Sequence, residues 1–203
     1  MAYGSQGITK LEYGQFLTAS LAYFAFKQRD SIGFSAYDDR VQELVPARGS
    51  IGHLNTVLHA IEHLQPQARS SFARPLVEVA DRLRRRGIVI VVSDLYDEPE
   101  QVMTGLRNLA FRGNDVIVFH VLDPAELKFD FDKSAQFVDM ETGEEMHVIP
   151  DFLRQEYLKL IRSQISEFEA ECQKDRMDYA LIDTAQPLDQ ALFTYLARRS
   201  QLY

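Results

Sequence analysis

The chain has 203 residues, 46% hydrophobic and 26% charged, a balance that supplies a packed core and excludes an intrinsically disordered polypeptide. Its net charge of −8 excludes the broad basic footprint of a nucleic-acid binder, and the single cysteine, Cys172, excludes an internal disulfide and fits a reducing, cytoplasmic setting. Residues 1–9 are Gly-rich and polar, without the apolar centre of a signal peptide, and no apolar run approaches the ~20 residues that cross a bilayer.

Lys10 to Phe26 is predicted as a helix, because Tyr13, Phe16, Leu17, Leu21 and Phe24 recur at helical spacing. Ser31 to Tyr37 reads as a short strand, Asp38–Asp39 as a turn and Val41 to Val45 as its antiparallel partner. Pro46 to Gly52 reads as a loop. A helix is predicted over Ile51 to Leu64, with Leu54, Val57, Leu58 and Ile61 on one face and Pro66 as its stop. A further helix spans Pro75 to Arg86, with Leu76, Val79, Ala80 and Leu83 inward. Arg84, Arg85 and Arg86 in its last turn, followed by Gly87, suit the negative end of a helix.

Ile88 to Val92 is an unbroken Ile and Val run, the pattern of a parallel strand buried on both faces. Asp97 is predicted to cap a helix through Arg112, with Glu100 three residues on. Asp115 to Leu122 is a second buried strand, so this stretch is a βαβ unit. Residues 129–148 form an acidic, aromatic excursion with Thr142–Gly143 at a hairpin tip. Asp151 to Lys174 is a long helix, Asp178 to Ile182 the last strand, and Pro187 to Gln201 the last helix. The alternation implies one domain over 1–203 built on a doubly wound, mostly parallel α/β sheet, whose crevice lies at the carboxyl ends of the strands. Asp-rich segments fall there: Ser93 to Asp97, Leu122 to Pro124 and Asp183 to Gln186.

Three stretches carry a family resemblance: YGSQGITKLEYGQFLTASLAYFAFKQRDSIGFSAYDD, IVIVVSDLYDEPEQVMTGLRNLAFRGNDVIVFHVLDPAEL and MDYALIDTAQPLDQALFTYLARR. In this order they resemble the "domain of unknown function 58" proteins, a subfamily with a von Willebrand factor A-like fold. The resemblance implies that the sheet has one antiparallel edge strand. It also implies a binding role, as an adaptor of a MoxR-type AAA+ ATPase or its client.

The fold's metal-ion-dependent adhesion site draws on an Asp-x-Ser-x-Ser loop after the first strand, a Thr or Ser on a second loop and an Asp on a third. Ser93–Asp94 matches the third loop and Ser50 could serve as the second. The first loop and its strand are absent from this sequence. The expectation is therefore that 1–203 is an N-terminally truncated fragment of the domain, its sheet lacking the central strand between Ser31–Tyr37 and Ile88–Val92. Mg²⁺ would be held only by a version carrying the missing loop, and no cofactor by this chain.

The binding face expected from these readings is Ser93, Asp94, Asp97 and Asp123, with Asp94 and Ser50 as metal ligands and no catalytic residue. A divalent-metal binding module is the alternative. A hydrolase pairing Asp94 with His120 is a third reading, although nothing in the sequence places the two within reach. His59 and His63, four apart on a helix, read as solvated side chains without a third zinc ligand. His120 and Cys172 read as core residues. No Gly-x-x-x-x-Gly-Lys or Gly-x-Ser-x-Gly loop occurs, so neither a Walker-type nucleotide site nor a nucleophile elbow is expected.

Overall fold

The structure, a computed structural model, describes residues 1–65, 72–129, 135–138, 145–148, 150–190 and 192–193. Helix α1 (Lys10–Lys27) opens with a complete capping box: the Thr9 hydroxyl accepts from the Glu12 amide, and the Glu12 carboxylate accepts from the Thr9 amide. Strands β1 (Ile32–Tyr37) and β2 (Val41–Arg48) pair antiparallel, with register shifts near both ends of β1. Strand β2 runs through Pro46, where a loop is predicted. An edge strand tolerates proline because its outward amide has no ladder partner to lose.

Helices α2 (Ile51–Glu62) and α3 (Ala73–Arg82) follow. Helix α3 stops four residues before its predicted end, with Leu83 already extended at φ −69° and ψ 115°. Arg84, Arg85 and Arg86 therefore lie in the link to the next strand rather than in a helical last turn. The chain then runs through β3 (Ile88–Ser93), α4 (Pro99–Phe111), β4 (Asp115–Leu122), the short α5 (Pro124–Lys128), the antiparallel pair β5 (Ala135–Val138) and β6 (Glu145–Val148), α6 (Pro150–Lys174) and β7 (Asp178–Asp183). The predicted hairpin tip at Thr142–Gly143 lies outside the described residues. So does most of the predicted last helix, of which residues 188–190 and 192–193 are helical.

Asp97 does not cap α4. Pro99, whose fixed φ suits the first helical turn, sets the start one residue later, so Glu98 is the N-cap and makes no side-chain cap bond. The Asp97 carboxylate instead accepts from the amides of Phe72 and Glu98, at 3.0 and 2.8 Å, and so fastens the start of α3 to the loop after β3.

Strands β3, β4 and β7 form a parallel sheet in that order, with β4 central and buried along nearly its whole length. Alternate residues of β4 serve two cores. Val116 and Val118 pack with Leu76, Leu106, Phe168 and Cys172, from α3, α4 and α6. Ile117, Phe119 and Val121 pack with Tyr13 and Leu17 of α1 and Ile182 of β7. A third cluster joins β1 to α2 through Ile32, Leu54, Val57 and Ile61. The described residues thus form a mixed α/β molecule with a three-stranded parallel sheet and two separate antiparallel pairs, β1–β2 and β5–β6.

The β1–β2 pair does not join the parallel sheet. Among the described residues, no backbone hydrogen bond links β1 to β3, and no other strand pairs with the facing edge of either. A cleft of about 3010 Å³ lies there, walled by the two strands, α1 and α3. This corrects the prediction that Ile88 to Val92 is buried on both faces: Ile88 is 57% exposed and Ile90 37%. The residue types are those of a central strand, but among the described residues β3 has a strand neighbour on one side only.

Candidate functional site

The carboxyl ends of β3 and β4 meet the start of α1. Gly14 lets that helix lie close against β3, since a Cβ there would stand 3.4 Å from Cγ1 of Val92 and 3.3 Å from the Met1 side chain. This approach carries Lys10, one turn earlier, under the strand ends, where it is 4% exposed. A buried ammonium needs partners, and Lys10 has two: the Asp94 carboxylate at 2.9 Å and that of Glu126 at 2.7 Å. The Met1 ammonium joins Asp94 at 2.7 Å. Desolvation alone would raise the Asp94 pKa, but Lys10 and the Met1 ammonium outweigh it and hold the carboxyl below its ordinary range. Burial pulls Lys10 towards its neutral form, and the two carboxylates outweigh that, so its pKa is raised.

Asp123 lies deeper, with 0% exposure. Its carboxylate accepts from the Ala125 amide, the Ser5 amide and the Ser5 hydroxyl, at 2.8, 2.8 and 2.5 Å. Glu126 returns the capping box to the Asp123 amide at 2.8 Å. Asp123 therefore begins α5 and anchors the N-terminal segment, and its oxygens are spent within the chain.

His120 is 1% exposed, in the strand next to Asp94. Its Nε2 stands 3.1 Å from the backbone oxygen of Asp94 and its Nδ1 2.7 Å from the Tyr179 hydroxyl. A carbonyl can only accept, so Nε2–H donates and Nδ1 accepts the Tyr179 proton. Burial drives the imidazole pKa down to about 4, so the ring is neutral at physiological pH. The predicted Asp94–His120 pairing is present only through the Asp94 main chain. With both ring nitrogens committed, no lone pair is left for a substrate proton.

Ser93 is also inward-facing, its Oγ accepting from the Leu95 amide at 3.1 Å. Ser50 caps α2, accepting from the His53 amide at 3.3 Å, and the His53 ring contacts the Ile32 carbonyl at 2.9 Å. Ser50 thus lies near the Ile32 end of β1, whereas Tyr37 at the other end approaches Ser93. Six extended residues separate those ends, on the order of 17 Å, so the structure does not bring Ser50 and Asp94 together. The Asp94 carboxylate already holds two ammonium groups, whereas Mg²⁺ takes about six oxygens.

Sequence reasoning missed four features here. Lys10 carried a faint signal, a lysine opening a helix whose Tyr13 and Leu17 face the core. Tyr96, next but one to Asp94, is 79% exposed. The Tyr37 hydroxyl is buried beside the cleft. Ser93 lies near enough to draw its pKa down, against a larger rise from burial, yet no group meets hydrogen-bond geometry with the hydroxyl. The fourth is the cleft's charge: Arg84, Arg85 and Arg86 line the end at the start of β3, and Asp94 lines the other.

Elsewhere, His59, Glu62 and His63 bring ligand atoms within 4.8 Å of one another on the exposed end of α2. Cys172 is a buried core thiol whose pKa burial pushes up to about 12, which keeps it protonated. No helix among the described residues is long and apolar enough to cross a membrane.

A family model described as "Protein of unknown function DUF58" matches residues 1–167. No curated protein matches the chain. Among solved structures, the conserved hypothetical protein BatB from Bacteroides thetaiotaomicron is similar in fold. Its TM-score is 0.50 at 15% identity, over 94% of this chain and 88% of that one.

Proposed function

The chain belongs to the DUF58 family of proteins of unknown function, and on that premise we propose that it is a non-catalytic interaction domain of von Willebrand factor A type that docks a MoxR-type AAA+ ATPase or its client. The observation that carries this reading is the state of the groups at the carboxyl end of the sheet. Asp94, Asp123 and His120 are all spent on internal partners. What that end offers outward is contact surface: Tyr96, the partly exposed Asp97 and the open cleft beside them. An exposed aromatic beside a groove is the residue type on which protein interfaces concentrate their affinity. The MoxR-type partner comes from the family resemblance.

Light-scattering and interferometry titrations of the chain against a MoxR-type ATPase test this reading. Saturable binding is expected, weakened at least about tenfold by Tyr96→Ala, the loss of an interface anchor worth about 1.4 kcal/mol. No binding in any nucleotide state, or full binding by Tyr96→Ala together with Asp97→Ala, contradicts it.

A further inference from the structure

We propose that the exposed C-terminal end of α2 is a zinc site, in which His59, Glu62 and His63 hold one Zn²⁺ and water completes its coordination. The site is separate from the strand ends and goes beyond the docking role.

The three residues share one helix face because they lie at i, i+3 and i+4. Leu54, Val57, Ala60 and Ile61 bury the other face, and Gln15 of α1 donates to the Ile61 carbonyl at 2.7 Å. The backbone beneath the three side chains is therefore held in place. Their ligand atoms lie within 4.8 Å of one another, and among the described residues no other His, Cys, Asp or Glu joins the group. In a tetrahedral zinc site with bonds of about 2.1 Å, ligand atoms stand about 3.4 Å apart. All three side chains are exposed, so rotations about their own bonds can close that difference.

His63 is already oriented for a metal. Its Nδ1 stands 2.9 Å from the His59 backbone oxygen, which only accepts, so Nδ1–H donates and the Nε2 lone pair is left for an ion. A carbonyl holding the other ring nitrogen is the usual support of a metal-bound imidazole. The His59 ring lies 4.0 Å from that of His63, centre to centre, and its Nδ1 is 4.0 Å from a Glu62 carboxylate oxygen. His63 is the C-cap of α2 and His59 lies in its last turn, where the helix dipole favours a cation.

Two imidazoles and one carboxylate select a transition ion over Mg²⁺ or Ca²⁺, which take oxygen ligands, and they are an established zinc ligand set. The order His-x-x-Glu-His also occurs in a class of zinc peptidases, where the Glu serves as a base and a third ligand comes from elsewhere in the chain. Among the described residues no such ligand stands here, so Glu62 itself is the third ligand and the site binds metal without an assigned reaction.

The test is calorimetric titration of the untagged 203-residue chain with zinc chloride. One equivalent of saturable binding is expected, unaffected by excess Mg²⁺. His59→Ala and His63→Ala should each weaken it at least about tenfold, and Glu62→Gln at least about threefold. All three residues are exposed, so circular dichroism of the variants should match the parent. Co²⁺ in place of Zn²⁺ should give visible absorption that saturates at one equivalent and is lost in the double variant His59→Ala, His63→Ala. No saturable zinc binding, or binding that survives in the double variant, overturns the proposal. Undiminished affinity in Glu62→Gln overturns the three-ligand site. None of these residues belongs to the surface around Tyr96, so either result leaves the ATPase reading as it stands.

Discussion

Lys10 and His120 show opposite ways of burying an ionisable side chain at one strand end. Lys10 stays charged because Asp94 and Glu126 replace the water it gives up. Removing it leaves two carboxylates facing a low-dielectric site, so Lys10→Met should cost roughly 3 kcal/mol in urea unfolding. The Asp94 pKa is depressed in the fold, so its contribution is complete above its ordinary 3.8 and lost as pH falls through the folded value. That of Lys10 is raised, so its contribution is complete below 10.5 and lost as pH rises through the folded value.

His120 behaves differently because it is buried neutral. Its pKa falls from 6.5 to about 4, so between those values the unfolded chain binds the proton that the folded chain refuses. Stability therefore declines as pH drops from 6.5 towards 4, by about 3 kcal/mol from this residue. His120→Asn should flatten the pH dependence of the urea midpoint across that window. An unchanged slope would mean that the ring titrates normally.

At the scale of elements, the capping boxes do more than begin helices. Asp123 starts α5 and at the same time holds Ser5, so the N-terminal segment is tied to the end of β4. Asp123→Ala should destabilise the chain by about 1–2 kcal/mol in thermal unfolding, while Asp123→Asn, which keeps an acceptor oxygen, should lose less. The elements themselves were legible where local periodicity or composition decides them. Strands β4 and β7 and helix α1 fall within a residue of their predicted bounds. Asp97 and the arginines at 84–86 were misread, because Asp-x-x-Glu and Arg-Arg-Arg-Gly are cap signals only if no stronger one lies nearby. Pro99 overrides the first, and the early end of α3 the second. The contacts of Lys10 join α1 to β3 and α5, more than 80 residues away in sequence, and no spacing rule encodes them.

At the scale of the molecule, three clusters of apolar residues hold the parts together, while the row of strands is interrupted between β1 and β3. The Ile and Val run of β3 is composed for a place inside a sheet but stands at an edge, with Ile88 and Ile90 exposed. Sequence composition sets what a strand can bury, and its neighbours decide what it does bury. The amides along the two edges of this interruption report on it directly. Residue-resolved hydrogen exchange on the free chain is the decisive measurement. Alternate β3 amides, those turned from β4, should exchange orders of magnitude faster than the amides of β4, with the matching pattern on the outer edge of β1. Uniform protection along β3 and β1 would show that the two edges are already paired, and would contradict it.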